Sequence, residues 1–163
     1  MSLNQRIILS ATLVLMIFIS LTAFTLERAF SDSAESALRD KMTSQLYALM
    51  AAAEVGDDGL IMPSDELDAL LGLPSSGVYA FVTSKTGETL WQSSSVLGAK
   101  PPPPVALGRG EKRFSKTSVG SVEYFMLAYG VNWATNTVGE ADALALTFVM
   151  STDLESFQSL IHI

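Results

Sequence analysis

IILSATLVLMIFISLTAFTL, residues 7–26, is a run of twenty positions without a charge, a glycine or a proline. Fifteen are apolar. The other five, Ser10, Thr12, Ser20, Thr22 and Thr25, carry hydroxyls that can bond back to a carbonyl one turn earlier. At ~1.5 Å per residue the run spans about 30 Å, the thickness of a bilayer's hydrocarbon core. It predicts a membrane-spanning helix that carries everything after it.

Charge orients that helix. Only the α-amino group and Arg6 precede it, whereas all seventeen carboxylates and nine of the ten Lys/Arg come after it. Basic residues favour retention of the short flank in the cytoplasm. In a bacterial inner membrane this puts residues 1–26 at the N-terminus and anchor, and residues 27–163 in the periplasm as one domain. A cleaved signal peptide is the rival. It would have an apolar region of roughly 7–15 residues closed by a small-x-small site. Ala23-Phe24-Thr25 is instead followed by Leu26 and Glu27, so the anchor is expected to stay on. The absence of cysteine is compatible with an oxidising compartment. A net charge of −7 argues against nucleic acid as a partner.

The helical pattern continues past the anchor. Phe30, Ala34, Leu38, Met42, Leu46, Leu49 and Ala53 recur at steps of three or four, with neither Gly nor Pro from residue 7 to 53. This stripe is read as packing on the domain's own sheet; the alternative is that part of it also lies at a parallel dimer seam. Gly56-Asp57-Asp58-Gly59 should stop the helix, and Pro63-Ser64-Asp65-Glu66 should open a short one over Leu67, Leu70 and Leu71. Glu54, Asp57, Asp58, Asp65, Glu66 and Asp68 are six acids in a stretch with no base between Lys41 and Lys85. Helix-end and turn chemistry accounts for them, and a cation-facing acidic patch is the alternative.

Strands should form at 78–82, 89–93, 112–118, 121–133 and 143–150, the first two joined by a turn at Gly87. Pro101 to Pro104 make a connector that cannot donate to a sheet. Thr152-Asp153-Leu154-Glu155 resembles a capping box opening a last helix through Phe157, Leu160 and Ile161. The class is α+β: a long helix, a mostly antiparallel five-stranded sheet and a C-terminal helix. No nucleophile elbow, phosphate loop or zinc-binding spacing occurs, and the one histidine, His162, has no ligand partner in sequence. Trp91, Trp133 and the tyrosines are assigned to core packing ahead of a ligand pocket.

The order of these segments carries a family signal. Ser2-Leu3-Asn4-Gln5-Arg6, the apolar run, Ser44-Gln45-Leu46-Tyr47-Ala48-Leu49, Tyr79-Ala80-Phe81-Val82 and Gly87-Glu88-Thr89-Leu90-Trp91 together resemble the N-terminal region of PhoQ-like bacterial sensor histidine kinases. The resemblance runs through residues 2–98 and more weakly to the last strand. It implies a periplasmic PAS-like (PDC) sensor domain between two membrane spans, the second starting after Ile163. It also implies a parallel homodimer through the anchor and the helix carrying Phe30, Ala34, Leu38, Met42, Leu46 and Leu49. A cognate response regulator, ATP and magnesium would belong to a kinase core beyond this chain, which itself is expected to hold no cofactor and no catalytic residue. Sensors of this kind carry a dense acidic run before the final strands. The corresponding loop here offers only Glu140 and Asp142. These two, with Asp57, Asp58, Asp65, Glu66 and Asp68, are the candidate metal ligands, and weak binding is expected. The alternative reading is the periplasmic module of a chemoreceptor or other receptor. A pilin-like filament subunit would need a Gly-Phe processing site that is absent.

Overall fold

Helix α1, Leu3–Ala52, is the first element of the computed structural model, which describes residues 3–56, 59–62, 68–133 and 144–154. Freedom from Gly and Pro, the two strong helix breakers, allows its length. Three of the hydroxyls in its apolar half bond back as their spacing predicts: Ser10 Oγ donates to the Ile7 carbonyl at 3.0 Å, Thr22 Oγ1 to Phe18 and Thr25 Oγ1 to Leu21 at 2.8 Å. The chain falls into two compact units, Met1–Asp40 and Lys41–Ile163. Within the first, side chains such as Ile8, Val14, Phe18 and Leu21 are all well exposed. A helix apolar on every side belongs in a core or a bilayer, and this one is long and apolar enough to cross a membrane.

In the second unit, α1 gives way at Ala53 to a two-stranded ladder, β1 (Glu54–Gly56) against β2 (Gly59–Ile61), where the sequence predicts only a turn. The short helix α2 is described over Ala69–Gly72, with Asp68 as its N-cap, its side chain accepting the Leu70 amide. Residues 63–67, where its start is expected, lie outside the described residues. Then come β3 (Val78–Ser84), β4 (Thr89–Gln92), a 3-10 turn at Ser94–Val96, β5 (Lys112–Val119), β6 (Val122–Trp133) and β7 (Leu144–Asp153). All five strands join one antiparallel sheet in the order β4-β3-β7-β6-β5, so the first and last long strands lie side by side.

The register sorts the core into two faces, because residues paired across antiparallel strands point the same way. Ala80, Met150, Leu127 and Phe114 form one row, and Val82, Phe148, Tyr129 and Lys112 the next. The Tyr47 ring meets the Tyr129 ring edge-on at 6.5 Å, which puts the end of α1 over this face. Met42, Leu46 and Leu49 are fully buried, as are Val82, Leu127, Phe148 and Met150. Each such side chain contributes ~1.5–3 kcal/mol relative to exposure.

The other face holds Tyr79, Phe81, Tyr124, Met126, Ala128 and Val149, covered by Val96, Ala99, Val105 and Leu107. The proline-rich connector is therefore a strap over a second core. Pro102 is buried within it.

Strand β7 continues three residues past Met150. Thr152 pairs with Val78 and Phe125, and Asp153 pairs with Tyr124. Thr152 is thus ladder, not cap, and the expected last helix is described only at Leu154, with residues 155–163 outside the described residues.

Candidate functional site

The stripe on α1 splits by environment. Phe30 is 74% exposed and Ala34 half-buried, while Leu38, Met42, Leu46 and Leu49 are buried. At ~100° per residue, Thr43 and Tyr47 fall to one side of the Met42–Leu46–Leu49 line and Gln45 to the other. Both sides make polar contacts with the rest of their unit. Lys112 Nζ donates to Thr43 Oγ1 at 3.3 Å and lies 5.7 Å from the centre of the Tyr47 ring. Gln45 Nε2 donates to Asp68 Oδ2, while Asp68 Oδ1 accepts the Leu70 amide at 3.1 Å. One carboxylate thereby caps α2 and holds α1. Sequence reasoning missed Thr43, Gln45 and Lys112, since nothing local marks a partner 69 residues away.

Of the candidate metal ligands, Asp68 alone can be located, and it is engaged in those two contacts. Asp57, Asp58, Asp65, Glu66, Glu140 and Asp142 lie outside the described residues, as does His162. Among the described residues no group of three metal-capable side chains comes together. Trp133 packs on Phe148 with ring centres 6.0 Å apart, and Trp91 is half-buried on β4.

On the strap side, the ring centres of Tyr79 and Tyr124 are 6.3 Å apart. Burial raises the Tyr79 pKa above its ordinary value, and the charge of Asp153 and the neighbouring Tyr124 add to that. The Thr83 and Ser151 hydroxyls are buried without a hydrogen-bond partner. Thr83 pairs with Thr147 and Ser151 with Tyr79, so four residues, ~13 Å, separate them along the sheet and they do not form one polar site. At the turn before β5, Glu111 accepts from Arg113 Nη2 at 2.6 Å and from the Gly108 amide at 3.2 Å. Those contacts, the Arg113 hydrogen bond foremost, lower its pKa.

Taken together, these contacts can position a helix against a sheet. Among the described residues they bring together no nucleophile with a base.

No family model matches the chain, and no solved structure matches it. The two-component sensor PhoQ of Pseudomonas aeruginosa is 28% identical to it over 94 residues, covering 58% of this chain and 21% of that sensor. The matched region is about a fifth of that relative's length, and the likeness is a partial one to a two-component sensor.

Proposed function

We propose that the chain is the membrane-anchoring, signal-sensing and dimerisation region of a two-component sensor histidine kinase. Residues 7–26 cross the inner membrane from the cytoplasm, and residues 27–163 form a periplasmic PAS-like (PDC) domain. The observation that carries this reading is the similarity to a curated two-component sensor in a chain that begins with a membrane-length apolar helix. A sheet whose first and last long strands are neighbours, with a helix on one face and a strap on the other, supports the PAS-like assignment.

The homodimer uses the exposed part of the stripe. Met42, Leu46 and Leu49 are already covered within their own unit, which leaves Phe30 and Ala34 for a second copy. ATP, magnesium and the response regulator belong to a kinase core encoded beyond residue 163. The second reading, a chemoreceptor's periplasmic module, shares every feature named here and differs only in the domains encoded after residue 163.

Two experiments test the proposal. Single cysteines across residues 29–37 should crosslink between copies in intact membranes with a period of about 3.5 residues. Uniformly absent crosslinks would remove the dimer. The codons after Ile163 should encode a second span and a kinase core; a methyl-accepting coiled coil would select the chemoreceptor reading instead.

A further inference from the structure

We infer that the end of α1 is set at one rotational angle by two polar flanks, Lys112 on one side and Asp68 on the other, forming a releasable joint between sheet and helix. The use of this joint in signalling rests on the sensor reading above; the joint itself does not.

The apolar contact beneath the helix selects the face that is buried but tolerates small rotations. Hydrophobic burial is non-directional, and Met42 and Met150, two of the side chains buried on this face, are unbranched and adaptable. Directional contacts narrow the rotation further. Lys112 reaches Thr43 and the Tyr47 ring, and Tyr129 meets that ring edge-on. Across the stripe, Asp68 receives Gln45. A turn of the helix in either direction lengthens one flank or the other. On the helix, each partner is a neutral group, and Lys112 and Asp68 are exposed. Neither contact is a buried ion pair, so either can open without stranding a charge.

Asp68 caps α2, and Lys112 opens β5 directly after the turn docked on Gly130. A displacement of α2 or of the turn before β5 is passed to the helix as rotation.

The test uses the whole chain in lipid nanodiscs, with spin labels on Ser44→Cys and Thr86→Cys. With labelled chain diluted into an excess of unlabelled chain, the reference protein should give one narrow label-to-label distance. Lys112→Gln combined with Asp68→Ser should broaden or split it; serine still caps α2 but is too short to reach Gln45. Lys112→Arg in place of Lys112→Gln, with Asp68 intact, should preserve the narrow distance. Amide exchange in β3, β6 and β7 should stay within about threefold of the reference. An unchanged distance in the double variant overturns the joint. Broadening accompanied by a larger rise in sheet exchange overturns it too, since the flanks would then be ordinary stabilising contacts. Broadening in the double variant, in a protein whose codons after Ile163 encode no kinase core, would leave the joint standing without the sensor.

Discussion

Leu107 and Thr147, forty residues apart, meet through a hydroxyl: the Leu107 amide donates to Thr147 Oγ1 at 2.9 Å. The same hydroxyl is 3.4 Å from the Leu107 carbonyl, to which it donates. Thr147 sits in the central strand and is 1% exposed, so this contact fastens the strap to the middle of the sheet. Thr147→Val should leave the Leu107 amide buried and unpaired, at a cost of about 1–3 kcal/mol. Thr147→Ser should recover most of it. Urea unfolding of the chain in detergent micelles reads both values; equal stability of the valine variant would mean the strap is not held there.

Gly130 admits the strap's end. A Cβ at this position would lie 2.1 Å from the Gly108 carbonyl oxygen, a backbone atom that cannot swing aside. The Gly110 amide donates to the Gly130 carbonyl at 2.8 Å, and the Gly130 amide to the Glu111 carbonyl at 2.9 Å. Gly130→Ala should therefore destabilise by roughly 1–3 kcal/mol or more. It should also raise exchange at the Gly110 amide ahead of amides in β3. Wild-type exchange at Gly110 would contradict the close approach.

Tyr79 should contribute to the alkaline limb of stability. Its folded-state pKa is raised, chiefly by burial, so its contribution is complete below the unfolded value near 10 and is lost as pH rises through the folded value. Unfolding above about pH 10 then releases a proton that the folded chain retains. Tyr79→Phe should flatten the decline in stability on that limb. In a phenolate absorbance titration Tyr79 should ionise above the ordinary tyrosine range. A decline as steep in the phenylalanine variant would assign the limb to another group.

Divalent cations should bind weakly. Tight calcium sites need six to eight oxygen ligands, and the loop after Gly139 offers two carboxylates. Little thermal shift is expected for residues 27–163 at millimolar magnesium or calcium. A stoichiometric micromolar site lost on neutralising Glu140 and Asp142 would restore a cation-sensing reading.

How much of this could be read from the sequence depended on where each signal lay. Helix α1 was legible because its cause is local: composition, period and freedom from Gly and Pro. Strands β3 to β7 were legible from β-branched and aromatic runs between turns. The extra residues of β7 were not, because Thr152-Asp153-Leu154-Glu155 is locally a good capping box and only pairing with Val78, Phe125 and Tyr124 keeps Thr152 and Asp153 extended. The β1–β2 ladder was missed because three residues a side are too few to show a period. The prolines told that residues 101–104 leave the sheet's ladder, but not that they cross its face. Of the site, the stripe was visible as periodicity, whereas Lys112, Gln45 and Asp68 as its flanks depend on a tertiary arrangement with no local trace.

The most direct test of the central claim is topology. Alkaline phosphatase fused after Ile163 and expressed in a bacterium should be active, and the fusion should remain in the membrane pellet after an alkaline carbonate wash. Its N-terminus should still include residues 7–26. A soluble active product beginning near Glu27 would show that these residues are a cleaved signal, and an inactive membrane-bound fusion would place the sheet domain in the cytoplasm; either result contradicts an anchored extracytoplasmic sensor.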